Sequence, residues 1–354
     1  MRVLITGGAG FIGSHLAGTL IGNGHHVIAV DDLSTGRVEN IAHLRGHARF
    51  QWVRGSVLDE DTVGPLIDGS DVVFHLAAAV GVRLVVDAPI HTIETNVQGT
   101  DVVLRRAARH GALVVVASTS EVYGKSATLP FREDHDLVLG PPTKRRWGYA
   151  ASKLLDEFLA LAYWKQRQLP TIVVRFFNCV GPRQSSRYGM VLPNFVRQAI
   201  VNRPITVHGD GSQTRSFTWV GDVVSALVSL MEERRAVGQI FNVGNDHEVS
   251  IAELALRVKA AAHSHSDIEF IPYTQAYDGD FEDMPRRVPD ISKLRALVGY
   301  QPRVLLPEII ERTIHYWKHD PAAEAPNTRR IVHIGTGVRR TVPTDASVDI
   351  GALA

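Results

Sequence analysis

The sequence is poor in the features that would assign it to several large classes of protein. It holds one cysteine, Cys179, so no disulfide within the chain is possible, and the reducing cytoplasm is its expected location. A lone thiol in such a chain reads as a packed side chain rather than a nucleophile. The formal net charge is only +1, from 38 basic and 37 acidic side chains, which provides no long-range field for nucleic acid. No apolar run reaches the ~18 to 20 residues that a membrane helix needs, and the N-terminus carries neither a charged leader nor a cleavage site. Neither a nucleic acid nor a membrane is an expected partner. Internal repeats and low-complexity tracts are also missing. What is present is a chain of 354 residues, 45% hydrophobic and 21% charged, long enough for a large core in one big or two smaller domains.

The stretch that organises this chain is Met1 to Asp32. An apolar run, Val3-Leu4-Ile5, ends in Gly7-Gly8-Ala9-Gly10-Phe11-Ile12-Gly13, continues as an amphipathic segment, and returns as a second apolar run, Val27 to Val30, closed by Asp31 and Asp32. That is strand, glycine turn, helix, strand. Gly7 allows the tight turn, Gly10 lets backbone approach a pyrophosphate, and Gly13 lets the helix pack close to the sheet. The pyrophosphate would sit among helix N-terminal amides that have no intrahelical partner. A glycine triplet alone is weak, because turns collect glycine for conformational reasons. Here it has a strand before it, a helix after it, and Asp31 at the distance of the acid that takes the ribose hydroxyls. A carboxylate there repels a 2′-phosphate, so the expected cofactor is NAD rather than NADP. Arg37 is the one cation that the following loop could bring toward a phosphate.

Downstream, short β-rich runs alternate with helical segments: strands at Phe50–Val53, Asp71–Leu76, Leu113–Ala117 and Thr171–Phe176, helices at Glu60–Ile67, Thr92–Arg109 and Tyr149–Gln168. The alternation predicts an α/β fold, a doubly wound parallel sheet covered on both faces. Ligands of such sheets bind beyond the carboxyl ends of the strands, which directs attention to Gly7–Gly13, Asp31, Leu76-Ala77-Ala78 and Ser118–Glu121. After Phe176 prolines break the chain into shorter pieces. Helices are expected near Leu192–Val201, Val223–Glu232 and Ile251–Ala262, and a strand at Gln239–Val243. The reading is a dinucleotide-binding domain over 1–177, to which strands within about 210–246 return. A smaller α/β substrate lobe follows, mainly 178–319, and then an extended or partly disordered tail over 320–354, in which Arg330–Ile334 could add a strand to a partner.

Tyr149 and Lys153 lie four apart and project from one helix face. An ammonium beside a phenol favours phenolate and lowers a pKa that begins near ~10, which makes Tyr149 a candidate base toward a substrate hydroxyl. The same spacing also occurs by chance in many amphipathic helices.

Five motifs in fixed order carry a resemblance. TGGAGFIG, HLAA at His75–Ala78, Asn96 in NVQGT, STSEVYG at Ser118–Gly124 and YAASK at Tyr149–Lys153 together resemble the extended short-chain dehydrogenase/reductase family of nucleotide-sugar epimerases, dehydratases and decarboxylases, from Met1 to about Lys318. The resemblance implies NAD along the sheet, a nucleoside diphosphate sugar between the lobes, and oxidation at C4 of the sugar. It makes Tyr149 the base, Lys153 the holder of the nicotinamide ribose that also lowers the tyrosine pKa, and Thr119 the partner of the sugar hydroxyl. Gly7, Gly10, Phe11, Ile12, Gly13, Asp31, Asp32, Leu76, Ala77, Ala78 and Asn96 belong to the cofactor site. Ser56 stands where relatives place an acid for the adenine amino group, which implies a looser hold. Asn178 in RFFNCVGPR and Arg215 in GDGSQTRSF resemble residues that bind the sugar nucleotide, with Arg287 in RRVPD as a second arginine, and the wording GDGSQTRSF is typical of relatives that take UDP sugars. Two guanidiniums suit a diphosphate. The family's paired long helices imply a homodimer.

A C4 ketone leads to epimerisation, to dehydration across C5 and C6, or, with a C6 carboxylate, to loss of carbon dioxide. Glu121 discriminates, because epimerases of the family usually carry a small or apolar residue there. Phe131–Phe158, FREDHDLVLGPPTKRRWGYAASKLLDEF, closely resembles the UDP-glucuronic acid decarboxylases, in which the residues matching Glu121 and Arg287 are thought to lie by the sugar carboxylate. The expected activity is NAD-dependent decarboxylation of UDP-glucuronate to UDP-xylose or a UDP-4-keto-pentose. A UDP-glucose or UDP-glucuronate 4-epimerase is the alternative, and a 4,6-dehydratase comes after it. No metal site is expected.

Overall fold

The computed structural model describes residues 1–319 apart from 82–84, 86, 187–188 and 277–281. The expected tail and its Arg330–Ile334 run lie outside the described residues. Strand β1, Arg2–Thr6, runs through the middle of the larger sheet with all but its first residue buried, as a parallel strand covered on both faces must be. It is flanked by β2 (His26–Asp31) and β4 (Val72–His75), and these by β3 (Phe50–Arg54), β5 (Leu113–Thr119) and β6 (Thr171–Phe176). The strand Gln239–Val243, β11, adds a seventh beside β6. The order is β3-β2-β1-β4-β5-β6-β11, parallel throughout.

Alternation along each strand divides the core into two layers. Val3, Ile5, Phe74, Val115 and Val174 point to the side covered by helices α1 (Phe11–Gly22) and α6 (Val220–Glu232). Leu4, Val73, Val114, Val116 and Val173 point to the side covered by α2 (Glu60–Asp68), α3 (Pro89–Ala107) and α4 (Arg146–Arg167). Two of these helices start earlier than periodicity implies. Pro89 occupies the first turn of α3, where its fixed φ suits the helix and its missing N–H costs nothing. Helix α4 opens at Arg146, so Tyr149 and Lys153 sit inside the helix rather than at its start.

The smaller lobe gathers α5 (Val191–Ile200), α7 (Ile251–Ala261) and α9 (Leu306–His319) around Leu192, Phe195, Leu254, Val258 and Ile310. Its strands are short: β8 (Ile205–His208) pairs with β13 (Ile268–Ile271), and β7 (Cys179–Val180) pairs with β10 (Thr218–Trp219). β9 (Thr214–Ser216) lies between β12 (Glu248–Ser250) and β14 (Arg286–Arg287). Pieces of two to four residues have too few positions to display a period of two, which is why the sequence did not announce them. Helix α8 (Ser292–Val298) returns to the larger domain, where Leu294 packs with Val223 and Phe241. On α3 and α4 the apolar side chains Ile90, Ile93, Leu155 and Phe158 are exposed, Phe158 by 63%.

Candidate active site

A cleft of about 660 Å³ opens at the carboxyl ends of the strands, between the sheet and the smaller lobe. Sheet order reverses between β1 and β4, and that crevice is where dinucleotides bind in doubly wound sheets. One end of the cleft is formed by Gly7, Gly10, Phe11, Ile12, Gly13, Asp31, Asp32, Ser56, Leu76, Ala77 and Ala78. Gly7 adopts φ +70°, and a Cβ on Gly13 would collide with the Gly7 carbonyl oxygen. Helix α1 has no side-chain cap, and its first intrahelical bond is Ser14 N–H to Gly10 O at 3.1 Å. The amides of Phe11, Ile12 and Gly13 are therefore left for an anion.

Asp31 is 7% exposed. Its Oδ2 accepts from the Ala9 N–H at 3.0 Å and its Oδ1 from the Leu33 N–H at 2.8 Å, which leaves each oxygen a further lone pair. Burial pushes its carboxyl up to about 6, with Asp32 adding to the rise and the amides opposing it. An uncapped glycine cradle and a carboxylate acceptor at this distance fit NAD. Arg37 does not line the cleft; its Nε lies 3.6 Å from Glu39, so the expected cation near a 2′-phosphate is engaged elsewhere. Asn96 also stands behind the lining. Its Oδ1 accepts from the Ala79 N–H at 2.9 Å and its Nδ2 donates to Ser152 Oγ at 3.0 Å, tying the loop after β4 to the tyrosine helix.

The other half of the cleft carries the reactive groups. Thr119 ends β5 beside the Tyr149 phenol, which is 8% exposed. Lys153 lies one turn further along α4, its Nζ 2.7 Å from Asp156 Oδ2. The groups that bear most on the Tyr149 phenol do not include Lys153. Burial first, then Glu121 and Asp156, hold the phenol well above its ordinary value, against Thr119 and Arg287. The lysine charge is already balanced by Asp156.

Glu121 follows Thr119 in a short 3₁₀ turn, Ser120–Tyr123, and is bracketed by two guanidiniums, Arg287 Nη1 at 3.2 Å and Arg146 Nη2 at 3.5 Å. Parallel pairing of β14 with β9 sets Arg287 beside Arg215. Asp283 Oδ1 receives Arg215 Nη2 at 2.7 Å and Arg146 Nη1 at 2.9 Å. Burial works to raise the Asp283 carboxyl, but Arg215, Arg146 and Arg287 together hold it far below the usual range. Arg287 is lowered to about 10, by burial and then by Arg215 and Arg146, against Glu121 and Asp283. Its buried Nε has no hydrogen-bond partner among the described residues. Asn178 lines the cleft and donates from Nδ2 to Ser216 O at 2.8 Å. The Cys179 thiol is pushed far up by burial, which keeps it protonated and a poor nucleophile.

Sequence reasoning did not single out Arg146, Asp283, Gln213 or Tyr273, all of which line the cleft. Gln213 Nε2 donates to the Tyr273 hydroxyl at 3.0 Å, and that hydroxyl donates to Asp283 Oδ2 at 2.9 Å. Arg146 had a signal, because it stands three residues before Tyr149 on what proves to be the same helix. Asp283 had none; only the fold brings it to the arginines.

Comparisons with known proteins agree with this geometry. The profile of the NAD dependent epimerase/dehydratase family matches residues 3–244. A UDP-N-acetyl-alpha-D-glucosaminuronate decarboxylase of Bacillus cytotoxicus is 42% identical over 318 residues, covering 90% of this chain and 98% of that protein. UDP-glucuronic acid decarboxylase 1 of Danio rerio is 40% identical over 329 residues, covering 92% and 75%. Among solved structures, the UDP-glucuronic acid 4-epimerase of Bacillus cereus, in complex with UDP-glucuronic acid and NAD, has a TM-score of 0.81 at 30% identity, over 90% of this chain and 99% of that one. With strand order, glycine cradle, and tyrosine and lysine in one cleft, these matches settle that the chain belongs to the NAD-dependent epimerase/dehydratase family.

Proposed function

We propose that the chain is an NAD-dependent decarboxylase of a UDP-linked uronic acid, with UDP-glucuronate as its substrate. The observation that carries this reading is Glu121 between Arg146 and Arg287, two residues beyond the threonine beside Tyr149. A sugar whose C4 hydroxyl meets Tyr149 presents its C6 substituent next to C5, and a carboxylate there finds two guanidiniums within reach. Relatives at 42% and 40% identity are named as decarboxylases of UDP-linked uronic acids.

The Gly7–Gly13 turn and Asp31 would hold NAD, which would supply the hydride acceptor for C4 and the hydride for its re-reduction. Tyr149 takes the proton of the C4 hydroxyl, and Thr119 orients that hydroxyl. Arg215 and Asn178 hold the diphosphate side of the substrate, where a planar donor fork matches oxyanions. Once C4 is a ketone, the C6 carboxylate is β to it. The C5–C6 bond breaks, its electron pair flows into the C4 carbonyl to give an enolate, and carbon dioxide leaves. Protonation at C5 gives the UDP-4-keto-pentose, and reduction at C4 gives UDP-xylose. The arginines must orient the carboxylate more than they stabilise it, because a strong grip on the ground state alone would oppose its loss. Glu121 competes for the same two guanidiniums and limits that grip.

Epimerisation of UDP-glucuronate at C4 is the second reading, favoured by the likeness to the Bacillus cereus enzyme. Mass spectrometry of NAD-loaded protein incubated with UDP-glucuronate, UDP-N-acetylglucosaminuronate and UDP-glucose separates the two. Loss of carbon dioxide from a uronate supports decarboxylation; unchanged mass with an inverted C4 overturns it.

The exposed Ile90, Ile93, Leu155 and Phe158 on α3 and α4 support a homodimer in which these helices pack against their copies. No described helix is long and apolar enough to cross a membrane. The single cysteine fits a reducing compartment, and the cytoplasm is the location we assign.

A further inference from the structure

Behind Lys153 lies a buried row of polar groups that takes no part in the cleft lining. Thr6, His75, Thr100 and Asp156 are at most 1% exposed, and none of them reaches the cleft. The Ala77 N–H donates to Thr6 Oγ1 at 3.2 Å, and Thr6 Oγ1 lies 2.9 Å from His75 Nδ1. His75 is kept neutral by burial and by the charge of Lys153, which lower it to about 3. Nε2 lies 3.1 Å from Thr100 Oγ1, and Thr100 adjoins the Asp156 carboxyl, whose buried Oδ1 has no hydrogen-bond partner among the described residues. Asp156 Oδ2 takes the Lys153 ammonium at 2.7 Å. The hydrogen bonds thus run from the cofactor loop at Ala77 as far as Thr100, beside the carboxylate that holds the lysine. Burying a charged pair costs desolvation, and apolar residues of similar volume are often as stable. Stability is therefore a weak account of an aspartate at this place.

Resting on the reading of Tyr149 as base and Lys153 as its neighbour, we propose that Asp156 is a positioning residue. It anchors the Lys153 ammonium on the cleft wall one turn from Tyr149 and sets how much of the lysine charge the phenol feels. The charged groups that bear on Tyr149 are Glu121 from the end of β5, Arg287 from β14 and Asp156 from its own helix. Those on Lys153 are Asp156 and, from β4, neutral His75. Glu157, next to Asp156, is turned away and holds Arg175 at 2.7 Å. Removing the Asp156 charge removes a negative neighbour of the phenol, so the phenol then ionises at lower pH.

The test is the pH profile of kcat/KM for UDP-glucuronate, measured on NAD-loaded wild type, Asp156→Asn, Asp156→Glu and Tyr149→Phe. In Asp156→Asn, kcat falls at least tenfold and the acid limb moves to lower pH by about one unit, the scale of a single close charge. Asp156→Glu keeps the charge and leaves the limb at its wild-type position. A limb that does not move in Asp156→Asn, with any loss of rate matched by loss of bound NAD, overturns the proposal and assigns the pair a structural role. Should Asp156→Asn not fold, Asp156→Ser replaces it: an acid limb displaced to lower pH supports the proposal, and a limb at its wild-type position overturns it. Tyr149→Phe separates the two levels. If it is inactive while Asp156→Asn matches wild type, only the role of Asp156 falls; if it is active, the catalytic reading falls as well.

Discussion

Glu121 Oε1 and Arg287 Nη1, 166 residues apart in the chain, meet at 3.2 Å at the inner end of the cleft. The acid comes from the turn after β5 and the arginine from a two-residue strand of the smaller lobe, so the contact joins the two halves of the site. Replacing the acid tests what it does there. Glu121→Ala frees both guanidiniums to grip a substrate carboxylate. We expect UDP-glucuronate to bind at least as tightly and carbon dioxide release to slow by about 10- to 100-fold, the worth of a charge-assisted hydrogen bond that holds the ground state. Isothermal titration and carbon dioxide evolution read the two effects separately; an unchanged rate would remove Glu121 from the chemistry.

Tyr149→Phe removes one hydroxyl from a buried position and leaves the ring that fills it. Turnover should fall by ~10²–10⁴, the range of general-base contributions, while bound NAD stays at the wild-type level. Single-turnover absorbance at the reduced nicotinamide band checks the rate, and near-normal oxidation of C4 would exclude the phenol as base.

NAD binding should depend on pH through Asp31. Its carboxyl stands at about 6 rather than 3.8, so lowering the pH through that value removes the charged acceptor for the ribose hydroxyls. Affinity should be about tenfold weaker at pH 5 than at pH 7, and the dependence should vanish in Asp31→Asn. The sign for stability of the NAD-free protein is opposite. Because the folded value is raised, the native state keeps a proton that the unfolded chain loses at lower pH. This contribution to stability is therefore full below 3.8 and lost as pH rises through about 6. Fluorescence titration of NAD and denaturant midpoints at pH 5 and 7 measure the two trends.

Phe158 is 63% exposed on α4, close to exposed Leu155. Phe158→Glu should convert a dimer to a monomer in sedimentation, since a charge in an apolar seam must be desolvated without a partner. A wild-type chain that sediments as a monomer would dispose of the interface altogether.

Much of the larger domain was legible because its cues are local. The β1–turn–α1 unit shows itself in seven consecutive residues, since a glycine is needed where the backbone turns at φ +70° and another where the helix meets the Gly7 carbonyl. The strands of the larger sheet are long, apolar runs with helices between them. In the smaller lobe the helices near Leu192 and Ile251 were read, but its strands, two to four residues long, and helix α9, which carries no motif, were not. Arg146 was overlooked because α4 was expected to begin at Tyr149; a start three residues earlier places the guanidinium one turn from the phenol.

The sequence by itself determined the sheet, the cofactor cradle and the tyrosine–lysine pair, because each depends on neighbours within a few residues or on the period of a single element. Only the tertiary structure decided which charges oppose one another. Asp283 between Arg146 and Arg215, Glu121 between Arg146 and Arg287, and Lys153 drawn to Asp156 rather than to the phenol all depend on through-space distance and exclusion of water. Those set the strength of a charge interaction, and neither is written in the spacing of residues along the chain.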